Sequence, residues 1–203
     1  MEKQKQEGFR NGDFNHFLEM LCGEFDNHEQ VAAEITAGVQ THPIAKHIIG
    51  KCNDKIIHLP PDFSGCFVIE ESYFDLGNQK IDKHYLFLYE MCPGNRVCLS
   101  SFNIPEHISK ETFVNSNVEL SMDYNAIELS PRFSPLILEK IGEKYEGRNT
   151  SVFSEAHIFK FKLEVTKDAL YVKEVLEKEG VLVAGYYEPI IYKKSHPNTK
   201  GVA

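Results

Sequence analysis

The sequence predicts a mainly β domain in which N-terminal α-helices precede an antiparallel sheet that closes into a barrel. Short segments with the alternation of β-strands follow one another after residue 63, separated by turn residues. Few segments between them have the periodicity of crossover helices, so neighbouring strands are expected to pair antiparallel. The 203-residue chain suits one such domain over residues 13–194, between a disordered lead at 1–12 and a tail at 195–203.

Composition and charge indicate which partners the protein does not bind. The net charge of −8 argues against binding to nucleic acid or to an anionic membrane, because both require a cationic surface. Residues 1–8 are polar, and no stretch of the sequence is an apolar leader or reaches transmembrane length, which predicts a cytoplasmic protein. Its five cysteines are expected to be reduced, with Cys92 and Cys98 as free thiols on either side of a turn. The sequence has no C-x-x-C or H-x-x-x-H pattern, so no metal site is predicted.

Two short helices are predicted before the sheet. Apolar residues recur at helical spacing after Asp13, a candidate helix cap, and the pattern runs to Phe25. Gly23 interrupts this pattern and weakens a helix by about 1 kcal/mol relative to Ala. Asn27, followed by Gln30 three residues later, resembles a capping box and restarts a helix. The stretch is therefore expected to form a helix–turn–helix corner.

The first half of the sheet is predicted from three alternating segments. Residues 67–74 and 84–89 have strand character, and a turn at 93–95 leads into a further strand at 97–104. Residues 134–144 contain apolar side chains at positions 136, 137 and 141, which predicts a short helix.

The second half ends the chain with a hairpin and a closing strand. Residues 157–165 alternate apolar and charged side chains, as a half-buried strand does. Residues 169–176 fit both a helix and a strand, and the strand is favoured because a turn at 178–180 leads back into residues 181–184. Residues 186–192 are expected to close the sheet, with a proline that is typical of an edge or a bulge.

The strand at 84–89 carries the first candidate site. Tyr85, Phe87 and Tyr89 share one face, and an aromatic row of this kind suits the wall of a cavity that holds a flat or apolar ligand. The alternative is that the same row packs as ordinary core.

The neighbouring strand supplies a candidate acid. Glu70 and Glu71 lie on opposite faces of an apolar strand, so one must point inward if the other is solvated. A buried carboxylate needs a partner or a raised pKa, which makes either residue a candidate ligand contact. Tyr73 shares the face of Glu71 and is a further candidate ligand contact. Periodicity does not choose between the two faces. His157 continues the apolar face of a later strand and is the last candidate ligand contact, although a structural role is the commoner one for such a histidine.

Several short motifs resemble those of the CpcT/CpeT-type phycobiliprotein chromophore lyases. Residues 21–30 resemble the family's G-x-F-[SD]-N-x-x-Q corner, and residues 67–73 resemble its F-x-V-E-Q-x-Y strand. Residues 82–85, 145–147 and 185–192 resemble a D-K-P-Y lead, an F-x-G motif and the closing strand. In place of the two arginines that alternate along the family's next strand, this chain has Leu86 and Leu88.

The resemblance implies a calycin/lipocalin-like antiparallel β-barrel, often a homodimer, whose cavity holds a linear tetrapyrrole. It also implies lyase-like transfer of that bilin to a cysteine of a partner protein. Without the family's arginines, the propionates of a bilin would enter an apolar face unpaired. Three functions therefore remain open: a barrel that binds another flat or apolar small molecule, an active bilin lyase or chaperone, and a protein-interaction module without a ligand.

Overall fold

Ten antiparallel strands form a closed barrel in the computed structural model, which describes residues 2–195 and the side chains from residue 12 onward. The helices are α1 (Glu2–Leu21) and α2 (His28–Thr36). The strands are β1 (Gly23–Asp26), β2 (Ile44–Lys51), β3 (Ile56–Ile57), β4 (Cys66–Asp75), β5 (Lys80–Cys92), β6 (Arg96–Phe102), β7 (Met122–Asp123), β8 (Leu136–Ile141), β9 (Lys144–Val152), β10 (His157–Val165), β11 (Ala169–Lys178), β12 (Val181–Gly185) and β13 (Ile190–Lys194). This architecture confirms the predicted fold class.

The order of strands around the barrel is β1-β2-β4-β5-β6-β8-β9-β10-β11-β13, and β13 pairs with β1 to close the ring. The closure also requires β10 to pair with β11, which it does along nine residue pairs from His157 to Val165. Strand β12 pairs with the second half of β11 (175–178), whereas β13 pairs with its first half (169–172). Strands β3 and β7 form a separate parallel pair outside the barrel.

The predicted helix at 134–144 is wrong, because this segment forms β8. Leu136 and Leu138 are buried in the barrel while Ile137 and Glu139 are exposed, which is the alternation of a strand. Strand β8 pairs with β6 and β9, so hydrogen bonds with distant segments override the short apolar pattern. The predicted strands at 67–74, 84–89, 97–104, 157–165 and 169–176 all lie within observed strands, apart from the last two residues of the third.

Helix α1 closes one end of the barrel. Its buried side chains pack among inward side chains of the strands, and the ring centroid of Phe17 lies 4.9 Å from that of Tyr145 and 5.5 Å from that of Tyr89. The helix begins at Glu2, so its backbone includes most of the segment expected to be a disordered lead. Of the expected tail, residues 196–203 lie outside the described residues.

The predicted helix–turn–helix corner contains a strand between its two helices. Phe25 is fully buried in β1, which pairs with both β2 and β13, and does not extend the first helix. Gly23 has a φ of +148°, and a Cβ there would lie 2.8 Å from the side chain of Lys194. The breaker therefore ends α1 and lets the chain enter the barrel.

Asn27 and Gln30 join this corner to the barrel and do not form the predicted capping box. The buried amide of Asn27 donates to the carbonyl of Pro43 at 2.8 Å and accepts from the backbone N–H of Ala45 at 2.7 Å. The side chain of Gln30 accepts from the N–H of Ile191 at 2.8 Å and donates to a carbonyl in the same closing segment. The side chains of Asn27 and Gln30 thus accept hydrogen bonds from backbone N–H groups of β2 and β13.

The double hydrogen bond of Asn27 gives a testable prediction. Asn27→Ala is expected to lower the free energy of unfolding by about 2 kcal/mol, because it leaves a buried N–H and a buried carbonyl without partners. Urea denaturation measures the loss. The control is Asn78→Ala at an exposed turn position, which is expected to change the stability by less than about 0.5 kcal/mol. Equal stability of the two variants would contradict the structural role.

A long connection, residues 103–135, covers the outer faces of β4 and β5. Its buried side chains Phe113, Leu120 and Met122 form a second apolar core with outward residues of the barrel. Those outward residues are Phe67, Ile69, Leu86 and Leu88. Both faces of β4 and β5 are therefore buried, one in the barrel and one beneath this connection.

The expectation of free thiols at Cys92 and Cys98 is wrong, because the structure joins them in a disulfide. The register of the β5–β6 hairpin pairs Cys92 with Arg96 and Glu90 with Cys98, so the two cysteines lie diagonally on one face. Their Cα atoms are 5.9 Å apart, within the usual range for a disulfide. The three other cysteines are free.

Candidate functional site

Part of the barrel interior is a hollow of about 800 Å³. This volume lies in the range of pockets that hold drug-sized molecules. Inward side chains of β2, β4, β5, β10, β11 and β13 form the walls, and Leu21 at the end of α1 is part of the lining. Because α1 fills the other end of the interior, the hollow is the part of the barrel that side chains leave open.

Two stacks of aromatic rings line this cavity. Tyr85 and Phe87 on β5 stack with centroids 5.4 Å apart and planes 12° from parallel. Four strands away around the barrel, Phe159 stacks on Phe153 at 5.3 Å and on Phe161 at 6.2 Å. Flat aromatic walls of this kind favour a flat apolar ligand between them.

The predicted aromatic row lies on the inward face of β5. Tyr85, Phe87 and Tyr89 all line the cavity. Tyr89 is the deepest of the three and also contacts Phe17 of α1, so it belongs both to the cavity lining and to the packed end of the barrel. Within residues 12–195 the hydroxyls of Tyr85 and Tyr89 form no hydrogen bond with another side chain or with the backbone.

Glu70 is the carboxylate that points into the cavity. Its Oε1 accepts a hydrogen bond from the hydroxyl of Ser72 at 3.1 Å and lies 3.4 Å from Nδ1 of His47. Burial raises the pKa of Glu70 to about 7, and the nearby carboxylate of Glu174 on β11 contributes to this shift. The cavity therefore contains a titratable acid that changes charge near neutral pH.

Glu71 and Tyr73, also predicted to contact ligand, lie on the opposite face outside the cavity. Glu71 is buried, and its carboxylate accepts from the hydroxyl of Tyr73 at 2.5 Å. The same carboxylate accepts from both the backbone and the side-chain N–H groups of Asn115 at 2.8 Å. Glu71 thus fastens the long connection at 103–135 to the outside of β4.

This anchor predicts a local effect of mutation. Glu71→Ala is expected to lower the free energy of unfolding by about 2 kcal/mol, because the donors of Asn115 lose a charged acceptor. Hydrogen exchange should accelerate in residues 103–121 while exchange in the cavity-lining strands stays slow. The matched control is Glu139→Ala on the exposed face of β8. Unchanged exchange in residues 103–121 would contradict the anchoring role.

His157 lies at the start of β10, at the end of its inward face and outside the cavity lining. Its Nδ1 is 2.8 Å from the hydroxyl of Ser154, and its backbone N–H bonds to the same residue. The side chain closes a tight turn before the strand, as expected of a structural histidine.

His47 and Glu174 are cavity residues that the sequence pattern did not indicate. His47 lies on β2, with its ring centroid 4.1 Å from that of Tyr192, and burial lowers its pKa to about 3. Glu174 points inward from β11 between Val172 and Leu176, and burial raises its pKa. The sequence contains one signal for Glu174: it interrupts the alternating apolar residues Leu170, Val172 and Leu176 on one face of the strand.

Two cations lie against aromatic rings of the cavity lining. The guanidinium of Arg132 is 4.5 Å from the ring centroid of Phe153, and the ammonium of Lys83 is 5.6 Å from that of Phe74. Both side chains belong to exposed residues, which places them at the opening of the cavity. Contacts of this kind are worth about 0.5–1 kcal/mol at exposed sites.

Among residues 12–195, no group of three histidine, cysteine or acidic side chains is arranged to hold a metal ion. None of the helices in the described part of the chain has the length and apolar character needed to cross a membrane. No protein-family model and no curated protein sequence matches the chain.

Proposed function

We propose that this protein binds a flat, apolar small molecule inside its calycin-like barrel. The observation that carries the proposal is the hollow of about 800 Å³ between two stacked aromatic walls. Interiors of proteins are normally packed to the density of organic crystals, so a hollow of this size is a feature that a ligand can use.

The energetics of burial support a ligand of this class. A three-ring aromatic molecule that buries about 300 Å² of apolar surface gains about 7 kcal/mol from leaving water. The apolar walls of the cavity lose a similar area of contact with water, and this second gain is offset by the loss of translational and rotational freedom. A net gain of about 7 kcal/mol corresponds to an affinity in the micromolar range.

Fluorescence of 1-aminoanthracene tests the proposal. This flat and neutral probe is expected to bind saturably, with a blue shift and an increase in emission as it leaves water. The expected dissociation constant is micromolar. Absence of a saturable signal at about 100 µM protein would contradict a ligand-binding function and favour the protein-interaction module.

An active bilin lyase or chaperone is the second candidate. Lys83 and Arg132 at the opening support it, because cations there can pair with the carboxylates of a tetrapyrrole. Leu86 and Leu88, at the positions of the family's arginines, face the second apolar core and not the cavity. A bilin would therefore need these other cations. Phycocyanobilin added to the protein should shift in absorbance if this candidate is correct, and an unchanged spectrum counts against it.

A further inference from the structure

We infer that Glu70, Glu174 and His47 form a recognition site inside the cavity for a cationic, N–H-bearing group of the ligand. The inference rests on the proposed function and names the chemistry of the molecule that the barrel accepts. The apolar walls select a flat body, and these three side chains select a nitrogen cation attached to it.

The two carboxylates lack the cationic partners that buried carboxylates usually have. Glu70 and Glu174 line the cavity from β4 and β11, and within the described residues neither forms an ion pair with a lysine or an arginine. Burial raises the pKa of Glu174, and the charge of Lys83 opposes this rise only in part, because its ammonium is at the exposed opening beyond ion-pair distance. Buried carboxylates are normally paired, so this pair has unused capacity for a cation.

His47 is an independent sign of a missing partner. Its side chain is 6% exposed, it lines the cavity, and its Nε2 has no hydrogen-bond partner. The position of Nδ1, 3.4 Å from Glu70, favours the tautomer with the proton on Nδ1. Nε2 is then an acceptor without a donor among the described residues. Glu70 and Glu174 therefore present acceptors to the cavity, and His47 adds an unpartnered nitrogen beside Glu70, a set that favours an N–H cation.

The ionisation of Glu70 determines how binding of a cation depends on pH. The titratable and charged side chains that line the same cavity are His47, Asp82, Lys83, His84, Tyr85, Tyr89, Lys110, Arg132, Glu174, Tyr186, Glu188 and Tyr192. Burial raises the pKa of Glu70 to about 7, so the carboxylate is ionised above neutral pH and protonated below it. A cation binds the ionised form, and its affinity should therefore rise as the pH increases through about 7.

Two probes of the same shape test the inference. 9-Aminoacridine is a flat cation with N–H donors, and acridine is a neutral molecule of nearly equal size at about pH 8.5. At that pH the wild-type protein is expected to bind 9-aminoacridine at least about 10-fold more tightly than acridine. Glu70→Gln and Glu174→Gln should each reduce this preference, while binding of neutral acridine shows that the variants remain folded.

The control is Glu177→Gln on the outer face of β11, where Glu177 pairs with Lys160 at 2.8 Å. This variant should retain the full preference for the cation. Equal affinities of the two probes for wild-type protein, or a preference that survives both cavity substitutions, would overturn the inference and leave the proposed function standing. Failure of both probes to bind would overturn the proposed function itself.

Discussion

Val172→Trp is expected to weaken the binding of 1-aminoanthracene by at least about 30-fold. Val172 lies on β11 and lines the cavity, so an indole at this position occupies the space that the probe needs. The added atoms enter a hollow and not a packed core, and the free energy of unfolding should change by less than about 1 kcal/mol. Fluorescence titration and urea denaturation of the same variant separate the two effects.

Val183→Trp is the matched control for this substitution. Val183 is 51% exposed on β12 and is not part of the cavity lining, so the same change in side chain should leave probe affinity within about 2-fold. Unchanged binding by Val172→Trp would show that the probe binds elsewhere on the protein and would contradict the assignment of the barrel interior as the site.

Glu70→Gln is expected to stabilise the protein at high pH and to have little effect at low pH. The pKa of Glu70 is about 7 in the folded protein and 4.5 in its ordinary state, so the folded protein holds this proton more tightly than the unfolded chain. Folding stability is therefore lost as the pH rises from about 4.5 to 7. Gln has the shape of the protonated acid and escapes this loss, which amounts to about 3 kcal/mol above the folded pKa.

Urea denaturation at about pH 5 and about pH 8.5 measures this difference. The stabilisation by Glu70→Gln should be about 3 kcal/mol at the higher pH and below about 1 kcal/mol at the lower one. Glu139→Gln on the exposed face of β8 provides the control and should show no such change with pH. A pH-independent effect of Glu70→Gln would show that Glu70 is not a buried acid in the cavity.

The strands were predictable where alternation is local, and the inward face of β5 is the clearest case. Tyr85, Phe87 and Tyr89 follow a period of two, and the structure places all three along the cavity. The choice between Glu70 and Glu71 was not predictable, because both faces of β4 are buried. The connection that covers the outer face is far away in sequence, and Asn115 reaches Glu71 across 44 residues.

Other features could not be found because their partners are distant in sequence. His47 lies on β2, a strand with mixed side chains that was not predicted, and its role depends on Glu70 and on Tyr192 from the last strand. Asn27 and Gln30 match a local capping pattern, yet their side chains bond to β2 and to the closing segment. Local patterns identify helices and strands, whereas these contacts follow from closure of the barrel.

The corner that resembles the chromophore lyases has a structural explanation in this chain. Gly23 permits the entry into β1, Phe25 fills the core, and Asn27 and Gln30 supply hydrogen bonds to the barrel. The side chain of Asp26 accepts from the backbone N–H two residues later at the start of α2. These contacts hold the corner against β2 and β13, and none of these five residues lines the cavity.

A crystal structure of the protein with 1-aminoanthracene provides the most direct test of a hollow, ligand-binding barrel. The probe is expected inside the barrel, with its rings between the Tyr85–Phe87 stack and the Phe159–Phe161 stack. An interior closed by repacked side chains, with the probe absent or bound only on the outer surface, would contradict a ligand-binding barrel.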